Sequence, residues 1–283
     1  MKFLIPIWLV IMTVTPALAE VSTPCTATPD MLGVSRVAEI DTTGGRTFGQ
    51  QYPPEHLLQP GEVVLTFDDG PFPVYTEAIL AALAAQCTKA TFFNVGSMAS
   101  NFPKIAQEVL QAGHTIGTHT WSHANLAGLS PAAGKAQIER AIETENKILD
   151  GSLAPFFRFP YLSDSKHMRA YLGSRNIAVF SVDVDSLDYR AKTADQVVRN
   201  VMAGLTKTGG GIILFHDIHA VTAKALPTIL TSLKAKNFKI VHLIPRTALQ
   251  PVALLGHSSQ DDKQAKITHR HRVAQRRDAD PIY

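Results

Sequence analysis

Short runs of apolar, often β-branched residues alternate along the middle of the chain with longer segments in which apolar residues recur at helical spacing. The short runs predict β-strands and the longer segments predict helices. The runs are apolar at nearly every position, which is typical of strands buried on both faces of a parallel sheet. The predicted strands are 62–67, 90–95, 114–119, 156–160, 177–183, 211–216 and 238–243.

Helices fit in the intervals between these strands. One has Pro103 in its first turn and Gly113 as a stop signal, and another has Ser130 at its N-cap position. About seven β/α units within roughly 190 residues favour a distorted (β/α) barrel of parallel strands, with an open doubly wound sheet as the alternative. The predicted helices are 74–85, 103–112, 131–149, 166–175, 194–206 and 222–235.

The two ends of the chain do not follow this alternation. Residues 1–19 have a charged start, a short apolar centre and an Ala-Leu-Ala site, which is typical of a cleaved secretory signal. An uncleaved membrane anchor is the alternative, for which the apolar run is short. Residues 20–60 are expected to be a leader that packs on a catalytic domain spanning 61–250. Residues 251–283 are basic and aperiodic, and are expected to be a disordered tail.

Export changes the interpretation of the cysteines and of the charge. In an oxidising compartment Cys25 and Cys87 can form a disulfide, and two buried free thiols are the alternative. The net charge of +3 is mild, and the basic residues are not interleaved with exposed aromatic residues. We therefore expect an exported monomer, periplasmic or secreted, without a nucleic-acid partner and without stable membrane insertion after signal cleavage.

Chemically capable polar residues collect at or just beyond the carboxyl ends of the predicted strands. In parallel α/β folds these ends share one face, and that face carries the active site. Residues that are distant in the sequence can therefore converge on one site. They are Asp68, Asp69, His119, His123, Arg158, Tyr161, Asp185, Asp188, His216 and Asp217.

The two histidines of HTWSH, His119 and His123, are spaced to bind a divalent cation together with one carboxylate. The alternative is one packed polar histidine and one surface histidine. In the adjacent pair Asp68 and Asp69, one carboxylate can bind the metal while its neighbour stays free as a base that activates water. His216 can then supply the complementary acid.

The other polar residues have supporting or structural interpretations. Arg158 and Asp188 are plausible orienting partners for the acid and the base. Asp217 is expected to cap the next helix, and Asp185 is interpreted as a turn residue. We assign no role to His114 and His219. The chain contains no G-x-S-x-G, G-x-x-x-x-G-K-[ST] or G-x-G-x-x-G motif, which argues against serine hydrolases, nucleotide hydrolases and dinucleotide enzymes.

Five motifs, TFDDGP, HTWSH, RFPY, DSLDY and LFH, occur in this order within residues 61–245. In this set the chain resembles the polysaccharide deacetylase family, also called the family-four carbohydrate esterases. The family includes chitooligosaccharide, chitin and peptidoglycan N-acetylglucosamine deacetylases. The resemblance implies a distorted (β/α) barrel, an acetylated glycan as substrate and a divalent metal, commonly Zn²⁺, with Co²⁺ or another divalent ion as alternatives.

The resemblance also implies the roles of individual residues. Asp69, His119 and His123 match the metal ligands of the family. Asp68 matches the general base that activates water, and His216 matches the general acid that protonates the departing amine.

Further matches concern the orientation of these groups and the contacts with the substrate. Arg158 matches the residue that positions the base, and Asp188 matches the partner of the catalytic histidine. The backbone N–H of Tyr161 would help to stabilise the oxyanion. Leu214 would line the pocket for the acetyl methyl group.

Two positions depart from the pattern of the family. Phe159 stands where the family often has proline, and Tyr189 stands where it often has tryptophan. The resemblance places Tyr189 in an aromatic wall that contacts the sugar, so these departures bear on the identity of the substrate and not on the reaction. The implied activity is removal of N-acetyl groups from N-acetylglucosamine units. An O-acetyl polysaccharide esterase and a catalytically idle glycan-binding module are the alternatives.

Overall fold

The computed structural model describes residues 25–251, so the predicted signal peptide and all but the first residue of the predicted tail lie outside the described residues. Within this range the chain forms ten strands and seven α-helices. The strands are β1 (Arg36–Ile40), β2 (Thr47–Phe48), β3 (Glu62–Asp68), β4 (Thr91–Asn94), β5 (Thr115–Thr118), β6 (Phe156–Phe157), β7 (Ala178–Phe180), β8 (Val184–Asp185), β9 (Gly211–His216) and β10 (Lys239–Pro245). The helices are α1 (Tyr75–Ala85), α2 (Gly96–Asn101), α3 (Pro103–Gln111), α4 (Pro131–Ile148), α5 (Lys166–Ser174), α6 (Ala194–Thr208) and α7 (Ala220–Ala235).

All strand pairs of the described chain are parallel. Neighbouring strands follow the order β8–β9–β3–β4–β5–β6–β7–β2, and β10 pairs with the start of β3 and carries β1 on its other edge. Since β7 and β8 are consecutive along the chain, the curved sheet brings its two ends close together. The predicted distorted (β/α) barrel is confirmed, with ten strands in place of about seven.

The barrel core is built from the apolar strand runs. Every residue of β3 is buried, and Phe67 stacks between Phe92 of β4 and Phe215 of β9, with ring centroids 5.0 and 5.3 Å apart. Strands that are apolar on both faces therefore lie between the barrel interior and the helical layer. No helix within residues 25–251 is long and apolar enough to cross a membrane.

Local signals account for several helix boundaries. The hydroxyl of Ser130 accepts a hydrogen bond from the Ala133 N–H, so Ser130 is the N-cap of α4, as its position in the sequence predicted. Pro131 and Pro103 occupy the first turns of α4 and α3, where a missing N–H costs nothing. The short helix α2 has no side-chain cap and was not predicted from the sequence.

The segment before residue 61 contributes β1 and β2 to the sheet. These strands pair with β10 and β7 respectively, although the sequence showed no clear periodicity there. The apolar pattern of β1 is weak because β1 lies at the edge of the sheet, where Val37 is 52% exposed. β2 has only two residues, too few to form a pattern. A disulfide joins Cys25 to Cys87, with the Cα atoms 5.5 Å apart, and so ties this segment to the end of α1.

Candidate active site

The carboxyl ends of the strands surround a pocket of about 390 Å³. Asp68 and His216 are the last residues of β3 and β9 and are register partners across these two strands. Arg158 and Asp188 follow β6 and β8 and are buried behind the pocket. The predicted site residues that line the pocket are Asp68, Asp69, His119, His123, Tyr161, Tyr189, Leu214 and His216.

Asp69, His119 and His123 form a group of potential metal ligands, with one donor atom from each within 4.8 Å of the others. Asp69 Oδ1 lies 3.6 Å from His119 Nε2 and 3.2 Å from His123 Nε2. This oxygen is buried and has no hydrogen-bond partner within the described chain. A buried carboxylate oxygen facing two imidazole nitrogens is the arrangement that a bound cation would satisfy.

The protonation of His119 also fits a metal ligand. Its Nδ1–H donates to the backbone carbonyl of Arg158 at 2.7 Å, which leaves the lone pair of Nε2 directed at Asp69. Burial lowers the pKa of His119 to about 3, so the imidazole is neutral at physiological pH. Two imidazoles and one carboxylate form a donor set that suits Zn²⁺ or a similar divalent ion.

Asp68 is held by a buried arginine. Arg158 is fully buried, and its Nη1 donates to Asp68 Oδ1 and to Thr66 Oγ1, each at 2.7 Å. The remaining donors reach the backbone carbonyls of Phe180 and Ser181 at 3.2 Å. Burial raises the pKa of Asp68, and the positive charge of Arg158 opposes this rise. The carboxylate therefore has one anchored oxygen, while Oδ2 lies on the side of the metal ligands, 3.8 Å from His119 Nε2.

His216 is paired with Asp188. Asp188 Oδ1 lies 2.7 Å from His216 Nδ1, and Asp188 Oδ2 accepts bonds from the His216 backbone N–H at 2.7 Å and from Thr222 Oγ1 at 2.6 Å. Burial alone would lower the pKa of His216, but the hydrogen bond and the charge of Asp188 raise it to about 9. Although burial acts in the opposite direction, the bonds from His216 keep the pKa of Asp188 below its ordinary value.

Aromatic and apolar side chains form the remaining walls. Tyr161 is 67% exposed, has a left-handed backbone (φ 59°) and lies edge-on to His123, with ring centroids 4.4 Å apart. Tyr189 lies edge-on to His216 at 5.6 Å. Leu214 is only 5% exposed and forms part of the pocket lining together with Phe159. The pocket thus combines a polar side with an aromatic rim.

The chain is similar to known polysaccharide deacetylases. Residues 58–179 match the family model for polysaccharide deacetylases. A chitin deacetylase of Colletotrichum lindemuthianum is 30% identical over 195 residues, which cover 65% of this chain and 78% of that protein. The chain belongs to the polysaccharide deacetylase family.

Other members of the family have different lengths. A peptidoglycan-N-acetylglucosamine deacetylase of Listeria monocytogenes is 34% identical over 181 residues, which cover 63% of this chain but only 37% of that protein. A solved structure of a peptidoglycan deacetylase of Bdellovibrio bacteriovorus matches with a TM-score of 0.70 at 30% identity, covering 79% of this chain and 63% of that one. The chain therefore spans little more than a third of the Listeria relative.

Several residues that line the pocket were not predicted from the sequence. His219 lies three positions beyond His216, with ring centroids 5.7 Å apart, and Leu162 and Arg190 also line the pocket. Their position just after strand ends was the available signal. Asp185 accepts a hydrogen bond from the Leu187 N–H at 2.9 Å, as a turn residue does, and also lines the pocket.

The prediction that Asp217 caps the following helix is wrong. The N-cap of α7 is His219, and it makes no side-chain capping bond. Since α7 begins only at Ala220, the carboxylate of Asp217 lies too early in the chain to cap it. The side chain instead contacts the turn between β3 and α1, where it accepts a hydrogen bond from the Gly70 N–H.

Proposed function

We propose that this polysaccharide deacetylase removes N-acetyl groups from N-acetylglucosamine units of a glycan such as a chitooligosaccharide or peptidoglycan, releasing acetate. The observation that carries the proposal is the arrangement of a metal-ligand group, a base and an acid around one pocket of about 390 Å³. The names of the relatives support the same chemistry.

The residues at the ligand site fit a divalent cation, and Zn²⁺ is the ion that we propose. Asp69, His119 and His123 would hold it. When bound, such a cation acidifies water and polarises a carbonyl oxygen. The neutral state of His119 and its bond to the Arg158 carbonyl prepare this side chain for ligation without a proton having to leave it.

Asp68 acts as the general base in this proposal. Arg158 holds Oδ1, and Oδ2 lies on the side of the metal ligands, where it would take the proton of the water that attacks the acetyl carbonyl. Arg158 also prevents an unpaired carboxylate from being buried at the end of β3. The arginine is therefore a positioning residue for the base.

His216 acts as the general acid. Asp188 holds Nδ1, so the proton of Nε2 is available to the nitrogen of the departing amine. A pKa of about 9 keeps the imidazole protonated near neutral pH, as the role of acid requires. The backbone N–H of Tyr161 donates to the oxyanion, and Leu214 contacts the acetyl methyl group.

The proposal also includes a location outside the cytoplasm. The relatives are named for peptidoglycan and chitin, and the Cys25–Cys87 disulfide is stable in oxidising compartments.

The proposal is tested by mass spectrometry of products after the purified protein is reconstituted with Zn²⁺ or Co²⁺. The substrates are N-acetylated chitooligomers, peptidoglycan fragments and an O-acetylated xylan. We expect a loss of one acetyl group at a time from N-acetyl substrates. Acetate release from the xylan alone would identify an O-acetyl esterase, and glycan binding without release of acetate would identify an idle binding module.

Two variants separate the roles of the adjacent aspartates. Asp69→Asn should weaken Zn²⁺ binding, because this carboxylate faces both histidines. Asp68→Asn should retain Zn²⁺, because the carboxylate of Asp68 is bound by Arg158. It should lose turnover, because an amide cannot act as the general base. An equal loss of metal in both variants contradicts this division of roles. Binding is measured by calorimetric titration and turnover by acetate release.

A further inference from the structure

Asp217 follows the proposed acid in the sequence, but its carboxylate belongs to a different part of the site. The side chain is buried with 1% exposure and does not line the pocket. Its Oδ1 accepts a hydrogen bond from the Gly70 N–H at 2.9 Å, and its Oδ2 accepts one from Thr76 Oγ1 at 2.6 Å. The Asp217 N–H donates to the Asp68 carbonyl at 3.2 Å. One residue of the β9–α7 connection thus bonds to both ends of the β3–α1 turn.

The turn that Asp217 contacts is the one that carries the proposed metal ligand Asp69. Asp69 has a left-handed backbone (φ 78°), which a non-glycine residue adopts at an energetic cost and which surrounding contacts must maintain. The Asp69 N–H donates to the Phe93 carbonyl at 3.3 Å, and the Gly70 carbonyl accepts from the Val95 N–H at 3.1 Å. These bonds hold one side of the turn against β4, and Asp217 holds the other side.

The fit between the turn and the carboxylate is close. A Cβ atom on residue 70 would overlap the carboxylate of Asp217, so the glycine of TFDDGP is needed at this contact. Thr76 also accepts a hydrogen bond from the Phe72 N–H at 2.8 Å, which extends the network to the far side of the turn. Truncation of Asp217 would leave the buried Gly70 N–H and the Thr76 hydroxyl without these partners, which is costly.

We propose that Asp217 is a positioning residue that holds the β3–α1 turn, so that Asp69 faces the two histidines and Asp68 faces the attacking water. The inference rests on the proposed metal site. Asp217 acts at a distance from the substrate, through the backbone of Gly70, and touches neither the glycan pocket nor a reacting atom. Its loss should therefore affect metal affinity and kcat and should leave the KM for the glycan unchanged.

The first test measures Zn²⁺ affinity by competition with a chelator. Loss of residues that orient metal ligands typically lowers affinity by about 10- to 100-fold, and we expect this for Asp217→Ala. Asp217→Asn should retain most of the affinity, because its amide can accept the bond from Gly70 and donate to Thr76. At saturating Zn²⁺ the alanine variant should show reduced kcat with an unchanged KM, because Asp68 is displaced as well.

A matched control separates positioning from a general loss of stability. Leu205 is a fully buried residue of α6 near the opposite end of the barrel, and Leu205→Ala should destabilise the fold while keeping wild-type Zn²⁺ affinity. If Asp217→Ala fails to fold, Thr76→Val and Thr76→Ser provide the same comparison. Only valine removes the hydroxyl that donates to Asp217, so only valine should lower the affinity.

The results distinguish this inference from the proposed function. If the wild-type protein binds no divalent cation, the proposed function fails and the inference fails with it. If the wild type binds Zn²⁺ and Asp217→Ala binds it equally well, only the inference is overturned. Equal losses of affinity in Asp217→Asn and Asp217→Ala, or in Leu205→Ala and Asp217→Ala, would overturn it too.

Discussion

Replacing Asp188 by asparagine removes the negative charge that faces His216 and keeps the size of the side chain. The rise in the pKa of His216 from 6.5 to about 9 corresponds to about 3 kcal/mol in favour of the charged imidazolium. Without the carboxylate, burial is the largest single remaining influence and lowers the pKa from about 9 towards its ordinary value of 6.5, opposed by the charges of Asp68 and Asp69. A full return to 6.5 lowers the protonated fraction of His216 at pH 8 by about 30-fold, and kcat should fall with it.

The assay is acetate release from an N-acetylated chitooligomer between pH 5 and pH 10 at saturating Zn²⁺. The alkaline limb of kcat should move from near pH 9 in the wild type towards pH 6.5 in Asp188→Asn. Since both proteins carry the same cation, the difference between their profiles reports the effect of Asp188. Asp185→Asn is the matched control, because the Asp185 oxygens bond to Leu187 and Tyr189 rather than to His216.

The same ion pair should appear in the stability of the protein. A raised pKa means that the folded state holds the proton of His216 more tightly than the unfolded chain does. The stabilisation is therefore complete below about pH 6.5 and is lost as the pH rises through about 9. The reasoning is refuted if Asp188→Asn keeps its alkaline limb near pH 9, or if Asp185→Asn shifts that limb as far.

Three further predictions concern stability. Burial lowers the pKa of His114 to about 3 and that of His242 to about 4. The folded state should therefore lose about 2 kcal/mol of stability for each histidine between pH 6.5 and pH 5. Chemical denaturation of His114→Gln should show a shallower dependence of the unfolding free energy on pH. The Cys25–Cys87 disulfide spans 62 positions, and its replacement by two serines should lower the free energy of unfolding by about 4 kcal/mol; an unchanged denaturation midpoint would contradict this. Burial raises the pKa of Glu145 well above its ordinary value, so the buried carboxyl destabilises the fold increasingly above about pH 4.5. Glu145→Gln should therefore raise the melting temperature at pH 8 but not at pH 4. An equal change of the melting temperature at both pH values would exclude this cause.

The elements predicted from the sequence are those whose signal is local. β3 and β9 are continuous apolar runs, and α4 has a serine N-cap followed by proline, so each can be recognised without its neighbours. The missed elements β1, β2, β8 and α2 are two to six residues long. Strands this short are stabilised by pairing with another strand, and a local pattern does not contain that information.

Candidate residues at strand ends were predictable from the topology of a parallel sheet. A parallel sheet brings all its carboxyl ends to one face, so residues as far apart as Asp68 and His216 were expected to converge once the strands were assigned. For pocket residues such as Arg190 and His219, position after a strand end was a signal too weak to select them, because their contribution depends on the path of loops that the sequence pattern does not describe.

The order of the β/α units can be read from the sequence alone, and so can the chemical groups of the site: two imidazoles, an aspartate pair, an acid and their partners. The fold was needed to establish which nitrogen of His119 faces Asp69, which oxygen of Asp68 bonds to Arg158, and which groups Asp217 contacts. The bond between Gly70 and Asp217 joins residues 147 positions apart. Such contacts depend on the packing of the whole barrel, because a hydrogen bond forms only where the fold brings donor and acceptor within about 3 Å of each other.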